Sequence, residues 1–173
     1  MVKEVKIRRA QVKDALILSA LAGATNYETY FETDEPEDLA KYIADYFNPS
    51  QMKIELEDKN STFFLAEIGG KAVGYAKLLE GKPVECVRNE NTIELQRIYV
   101  LEKLIRRGVG KILLEKCLEE ARSRNFDSLW PKVFDLNARA IEFYRRQNFE
   151  HIGEDGFYYG EQRFTCLVMR III

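Results

Sequence analysis

The sequence predicts a mixed α+β fold in one domain. Segments with the alternating or β-branched pattern of strands and segments with helical spacing follow one another in the order β, helices, β-β-β-α-β-α-β-β. A length of 173 residues with 31% charged residues favours a single globular domain, 1–173. Because a helix joins the strands predicted over 92–100 and 127–134, we expect those two to be parallel neighbours in a mostly antiparallel sheet flanked by helices.

The first third of the chain is predicted to be mainly helical. Residues 5–9 alternate as a short strand, and apolar residues recur at helical spacing from 11 to 30. A second helix is expected to start after the signal Asp34-Glu35-Pro36, with Pro36 near its first turn, where proline is favoured; residues 50–59 form a third. The second helix should bury four residues: Leu39, Tyr42, Ile43 and Tyr46.

The remainder combines strands with two helices. A hairpin, a polar loop and a third strand precede the amphipathic helix predicted over 108–124, which is expected to bury Val109, Ile112, Leu113, Cys117, Leu118 and Ala121. After it come a strand DSLWPKVF, a short helix NARAIEFYRRQ and a terminal hairpin turning near Gly160-Glu161.

Composition and charge exclude several function classes. The three cysteines lie far apart without a CxxC spacing, which speaks against a zinc site or a redox pair. The single histidine, His151, excludes mechanisms that need two. A net charge of −2 speaks against general nucleic-acid binding, and no apolar run approaches the ~20 residues that span a bilayer. We expect a cytoplasmic protein with no metal and with no nucleic-acid or membrane partner.

A glycine pair stands at the start of the helix predicted over 108–124. Gly108 and Gly110 allow backbone N–H groups to approach a ligand, and the N-terminus of a helix attracts anions. Arg106, Arg107 and Lys111 add positive charge around the pair. The pattern indicates a phosphate-binding loop, although it matches neither a Rossmann nor a P-loop spacing. The alternative is a tight turn into the helix.

The glycine pair is followed, after the next strand, by NARAIEFYRRQNF. With both segments present, the sequence resembles the GNAT superfamily of acyl-CoA-dependent N-acetyltransferases. The family signature is Gln/Arg-x-x-Gly-x-Gly/Ala after the fourth strand and Asn-x-x-Ala-x-x-Phe-Tyr-x-x-x-Gly-Phe after the fifth. Two positions depart from it: Ile105 replaces Gln or Arg, and Asn148 replaces the glycine before Phe149. Asparagine tolerates left-handed geometry, so the helix can still end there.

The resemblance implies a GNAT-like fold in which parallel strands 4 and 5 are splayed apart and acetyl-CoA lies in the gap. The pantetheine arm would pair with backbone at Ile98, Tyr99 and Val100, as an added strand does. Pro131 fits this arrangement, because proline donates no ladder hydrogen bond. The pyrophosphate would be held by N–H groups of six residues: Arg106, Arg107, Gly108, Val109, Gly110 and Lys111.

Four further residues are assigned roles, those of Tyr144 and Asn137 by the same resemblance. Tyr144 matches the tyrosine beside the coenzyme sulfur and would protonate the departing thiolate; the alternative is a core aromatic, for which Phe143 is the better candidate. Asn137 would cap its helix and touch the pantetheine arm. Arg146 would reach a phosphate or lie on the surface. Strand alternation places Glu94 on the side that faces the gap, where it would draw the amine proton through water; the alternative is a surface or ion-paired glutamate.

An acidic run from Glu28 to Asp38 contains six acids and no base. Within the superfamily the chain is most similar to PaiA-type polyamine (spermidine/spermine) acetyltransferases, in YIADYFNPSQMKIELED, IELQRIYV and FYYGEQRFTCLVM. A polyamine is a string of cations, so the acids and neighbouring aromatic rings would attract it. The residues assigned to acceptor binding are Glu28, Tyr30, Glu32 and Asp34. The alternative is a solvated surface.

The function that these features predict is acetyl transfer from acetyl-CoA to a polyamine or other small amine, by direct attack in a ternary complex. Two alternatives stay open: another acceptor (a protein or peptide amine, an amino sugar, an antibiotic), or a non-catalytic acyl-CoA-binding regulatory domain. The apolar C-terminal run, residues 169–173, suggests a homodimer that pairs at a sheet edge.

Overall fold

A computed structural model describes residues 4–88, 90–159 and 162–173. Eight strands and five α-helices follow one another there in the predicted order, except that one predicted strand is divided in two, and the mixed α+β fold is confirmed. The strands are β1 (Val5–Arg9), β2 (Ser61–Ile68), β3 (Lys71–Leu79), β4 (Thr92–Val100), β5 (Ser128–Trp130), β6 (Lys132–Phe134), β7 (Glu150–Tyr159) and β8 (Gln162–Ile172). The helices are α1 (Ala15–Tyr30), α2 (Pro36–Tyr46), α3 (Pro49–Glu57), α4 (Val109–Ser123) and α5 (Ala138–Arg146).

Local sequence signals set where the helices begin. Pro36 and Pro49 open α2 and α3, where the missing N–H would have no intrahelical acceptor. The side chain of Asn48 accepts a hydrogen bond from the Gln51 N–H at 2.9 Å, and that of Asn137 accepts one from the Ala140 N–H at 3.0 Å. These contacts confirm Asn137 as the N-cap of α5.

The sheet has the hydrogen-bonded order β1-β2-β3-β4-β5-β8-β6, and β7 pairs with β8. β4 and β5 are parallel, as predicted, and their pairing covers three positions, from Thr92↔Ser128 to Glu94↔Trp130. The rest of β4 continues to Val100 beyond that register, so the sheet is open along this side of β4.

The chain forms two compact units, and the first comprises residues up to Leu78 together with Arg97–Cys117. In it β1 runs antiparallel to β2, from Val5↔Ile68 to Arg9↔Phe64, and α1 packs against α2 and α3. Its core is formed by helix and strand side chains together: Leu18, Leu21, Ala22, Phe47, Met52, Phe63, Leu65 and Tyr75.

The second unit comprises Leu79–Gln96 and Leu118–Ile173. β8 is its longest strand and pairs antiparallel with β5, β6 and β7. The predicted strand over 127–134 is two strands, because Pro131 interrupts it and cannot donate to a ladder. The carbonyl of Pro131 still accepts a hydrogen bond from the Met169 N–H at 3.1 Å.

Two further expectations need correction. Tyr46 was predicted to be buried and is 54% exposed, and Ile112 of α4 is exposed while Leu114 is buried. In the C-terminal run, Ile171 and Ile172 pair with β5, so one side of this run is occupied within the chain. The predicted turn at Gly160-Glu161 lies outside the described residues. None of the described helices has both the length and the apolar character needed to cross a membrane.

Candidate active site

The loop between β4 and α4 has the backbone geometry of an anion site. Arg106 and Gly108 adopt left-handed conformations, with φ of 65° and 84°, and the Ile112 N–H donates to the Gly108 carbonyl at 3.1 Å as α4 begins. The first N–H groups of a helix have no intrahelical acceptor, so they remain available to a ligand ahead of α4. A β-carbon at Gly108 would meet no described atom within 4 Å, so the space beside this glycine is open.

Basic side chains surround this loop, and a glutamate carboxylate binds the backbone where the loop starts. Arg106, Arg107 and Lys111 are exposed, and Lys111 Nζ lies 3.8 Å from Glu115 Oε1, a loose contact that leaves the ammonium in solvent. Glu28 is one of the residues predicted to bind the amine that receives the acetyl group. Its carboxylate accepts a hydrogen bond from the Glu102 N–H at 2.9 Å. Its carboxylate therefore holds the start of the loop.

On β4, the residues predicted to contact the pantetheine arm lie near a buried amide oxygen, that of Gln96. Ile98, Tyr99 and Val100 are half-buried beyond the β5 register. The side-chain oxygen of Gln96 is buried and has no hydrogen-bond partner among the described residues, which is a costly state for an amide oxygen unless a ligand or water donates to it. Glu94 is half-buried and lies opposite Trp130 in the parallel register.

In the first unit, tyrosines cover the Tyr99 side of β4. The rings of Tyr75 and Tyr99 stack with centroids 5.8 Å apart, and the hydroxyls of Tyr30 and Tyr99 lie 3.5 Å apart. Burial raises the pKa of both Tyr75 and Tyr99, so both stay neutral at ordinary pH. The Tyr75 hydroxyl is buried and has no partner among the described residues.

A buried ionic network lies beside these tyrosines and was missed at the level of sequence. Glu55 accepts hydrogen bonds from Lys77 at 2.6 Å and from Arg97 at 2.7 Å. Burial would raise the pKa of Glu55, but Arg97 and Lys77 together hold that pKa below its ordinary value. Burial and the nearby Arg97 charge lower the pKa of Lys77. The network fixes Arg97, and with it β4, against α3.

In the second unit, α5 carries the remaining predicted residues. Tyr144 is buried and packs edge-on against Phe143 and Phe149, with ring centroids 5.3 Å and 5.1 Å away. Phe143 is only half-buried, so the expectation that it would be the core member of the pair is wrong. Arg146 is exposed and pairs with Glu142 at 2.7 Å. Asn148 ends the helix with φ of 63°, as the sequence predicted.

The acidic run is exposed to different degrees. Glu32 is exposed and Asp34 is half-buried, where it accepts a hydrogen bond from the Thr33 hydroxyl at 3.0 Å. With Glu28 tied to the loop before α4, the run supplies both a structural contact and carboxylates in solvent.

The sequence of this chain is similar to those of known acetyltransferases. Residues 24–149 match the model of the acetyltransferase (GNAT) family. An N-acetyltransferase of Lactobacillus delbrueckii subsp. lactis is 29% identical over 170 residues, covering 96% of each chain. The streptothricin acetyltransferase of Streptomyces lavendulae is 28% identical over 171 residues, covering 89% of this chain and 86% of that protein.

Solved structures share the fold. The PaiA N-acetyltransferase of Thermoplasma acidophilum, in complex with coenzyme A, superposes with a TM-score of 0.81 at 17% identity, covering 98% of this chain and 99% of that one. The ribosomal-protein-alanine N-acetyltransferase of Brucella melitensis gives a TM-score of 0.68 at 26% identity, with coverages of 97% and 99%. The chain therefore belongs to the acetyltransferase (GNAT) family and is an N-acetyltransferase.

Proposed function

We propose that this protein moves an acetyl group from acetyl-CoA to a small primary amine, with polyamines as the leading acceptor class. The observation that carries the donor assignment is the open left-handed loop at Gly108 ahead of α4. Pyrophosphate oxygens are the anions that such a loop accommodates, because the first N–H groups of α4 have no intrahelical acceptor and the space beside Gly108 is open. The Arg107 N–H is not among these donors, since it donates to the Leu104 carbonyl at 3.2 Å. Arg106, Arg107 and Lys111 would add charge around it.

The pantetheine arm is assigned to the open side of β4. An extended amide-bearing chain can add to a strand edge, and β4 extends past its pairing with β5 from Leu95 to Val100. The buried oxygen of Gln96 offers an acceptor to a donor on this side. Asn137 and Arg146, near the ends of α5, are assigned to the arm and to a phosphate respectively.

The chemistry assigns a separate task to each remaining residue. An alkylamine has a pKa near ~10.4, so the acceptor must lose a proton before its nitrogen attacks the thioester carbon. Glu94 would take that proton through water. A backbone N–H near Val100 would stabilise the oxyanion, and Tyr144 would give its proton to the departing thiolate as the carbon–sulfur bond breaks.

The polyamine assignment rests on the acidic run. Glu32 is exposed and Asp34 is half-buried, and Glu28 and Tyr30 lie on the same stretch of the chain. An antibiotic amine is the second candidate, because the Streptomyces lavendulae relative is named for streptothricin.

Two measurements test the proposal in sequence. Calorimetric titration with coenzyme A should give saturable heat, which tests the donor site alone. Thiol release from acetyl-CoA is then followed with four amines as acceptors: spermidine, spermine, streptothricin and a peptide with an N-terminal alanine. We expect turnover with the two polyamines. Heat without turnover on any amine would favour the acyl-CoA-binding regulatory domain, and absence of heat would refute the donor site.

A further inference from the structure

Helix α1 carries a second apolar face, opposite the one that the core uses. Its buried residues are Leu18, Leu21, Ala22, Thr25 and Asn26. On the other side Leu16, Tyr27 and Phe31 are 70%, 50% and 53% exposed. Of the eleven large hydrophobic side chains that are exposed in the described part of the chain, five lie between Val12 and Phe31. Such a concentration of exposed apolar surface marks an interaction site.

The exposed face has a regular spacing. We define the α1 stripe as six exposed residues: Lys13, Ile17, Ala20, Ala24, Tyr27 and Phe31. The middle four lie on α1, whereas Lys13 belongs to the 3-10 turn before the helix and Phe31 directly follows it. Successive members are four, three, four, three and four residues apart, which is the spacing of a helix–helix seam. The same series of intervals is obtained from either end of the stripe.

This symmetry makes the stripe complementary to itself. When two copies of α1 pack antiparallel about a two-fold axis, Ile17 lies against Tyr27 of the second copy and Ala20 against its Ala24. Each pair then occurs twice, as a two-fold interface requires. The alanines at the centre permit close approach of the helix axes, about 8 Å.

The ends of the stripe add charge complementarity. Lys13 lies at its N-terminal end, whereas Glu32 and Glu35 are exposed just beyond its C-terminal end. Antiparallel packing brings each Lys13 over Phe31 of the second copy, where a cation–π contact is available, and next to the two acids. Parallel packing would put acids against acids. The rings of Tyr27 and Phe31 stack with centroids 6.3 Å apart and give this end a broad apolar surface.

We propose that this protein forms a two-fold symmetric dimer through the α1 stripe. A helix of 16 residues is about 24 Å long, so the contact falls at the small end of specific interfaces, below about 1,200 Å². We therefore expect a reversible dimer with a dissociation constant on the order of micromolar.

Sedimentation equilibrium of the full chain between roughly 1 and 200 μM tests the proposal at the concentrations where a micromolar dimer dissociates. Ala24→Glu places two like charges near the two-fold axis and should weaken association at least about tenfold. The matched control is Ala44→Glu, the same change at an exposed alanine of α2. A protein that stays monomeric throughout, or an Ala24→Glu variant that associates like Ala44→Glu, overturns the proposal.

Cross-linking tests the antiparallel register separately. An equimolar mixture of Ala20→Cys and Ala24→Cys proteins, oxidised with copper phenanthroline, should give a disulfide-linked dimer in which one chain of each kind is present. A mixture of Ala20→Cys with Ala44→Cys should not. Equal yields from both mixtures would mean random collision and would refute the register. Neither measurement depends on coenzyme A or on an acceptor, so its outcome is independent of the proposed activity.

Discussion

Glu55 holds two cations inside the first unit, at Lys77 and Arg97. Exposed ion pairs contribute little to stability, but removing one partner of a buried pair leaves an uncompensated charge, which costs about 3–5 kcal/mol. Because Arg97 directly precedes the β4 segment assigned to the pantetheine arm, the network also fixes the backbone on which the site depends.

We expect Glu55→Gln to lower the free energy of unfolding at pH 7 by about 3 kcal/mol. Since the folded-state pKa of Glu55 is depressed, its stabilisation is full above the unfolded pKa and is lost as the pH falls through the folded pKa. The variant should therefore lose less stability than the parent on acidification. Urea unfolding at pH 7 and in steps below pH 4.5 measures both effects. The control is Glu57→Gln, an exposed glutamate of the same helix, which should behave like the parent.

Tyr144 is tested by removal of its hydroxyl alone. The ring of Tyr144 is buried between Phe143 and Phe149, so Tyr144→Phe keeps the packing of α5. We expect kcat to fall by about 100-fold, because the thiolate loses its proton donor, while the dissociation constant of coenzyme A changes little. Steady-state kinetics and calorimetry separate the two quantities. Turnover at the parental rate would remove Tyr144 from the mechanism.

At the scale of elements, the short junction between β4 and α4 determines where helix α4 begins. Three features follow one another in this junction: the 3-10 turn Glu102–Leu104, the left-handed Arg106 and the left-handed Gly108. They turn the chain into α4, whose first N–H groups face the loop. A left-handed conformation is strained for a residue with a β-carbon, by roughly 1–2 kcal/mol.

Gly108→Ala separates this strain from ligand binding. The new β-carbon would meet no described atom but would occupy the space assigned to pyrophosphate, so we expect coenzyme A affinity to fall at least about tenfold. Gly70→Ala is the matched control, because Gly70 has φ of 76° and is equally open, in the turn between β2 and β3. Both variants should lose similar stability in thermal unfolding. Equal coenzyme A affinity in the two would count against the assignment of the loop.

Elements were predictable where local signals are strong. Pro36, the Asn137 cap and the left-handed Asn148 each act through their own backbone, so the sequence indicates them directly. The burial of Tyr46 was predicted wrongly because helical periodicity shows which residues share a face of α2. It does not show whether another element covers that face. The Glu55 network could not be foreseen either, since Lys77 lies 22 residues from Glu55 and no local pattern joins them.

At the scale of the whole molecule, uneven charge is the feature that bears on the acceptor. The net charge is only −2, yet six acids without a base lie between Glu28 and Asp38. Such a stretch creates a local negative field, which attracts cations over a distance of about 10 Å at 0.1 M salt. Charge placement of this kind is readable from sequence, whereas the tie between Glu28 and the loop before α4 is a tertiary contact and is not.

Neutralising Glu32, Asp34 and Glu35 together, each to its amide, tests this field. We expect the KM for spermidine to rise several-fold and its salt dependence to flatten, because fewer charges remain to be screened. The control neutralises three exposed acids elsewhere, Glu57, Glu150 and Glu154. Assays at about 0.1 μM enzyme keep the proposed dimer dissociated in every variant. An unchanged KM would refute the role of the acidic run.

Gly74 limits how this protein can diverge. A β-carbon at position 74 would lie 2.8 Å from the carbonyl oxygen of Tyr99 and 3.1 Å from a methyl group of Val100. A main-chain oxygen cannot rotate away as a side chain can, so every other amino acid would displace the strand beside it. Substitutions elsewhere in the chain do not meet this limit, whereas the short distance between Gly74 and the Tyr99 carbonyl requires the hydrogen atom that glycine alone carries in place of a side chain.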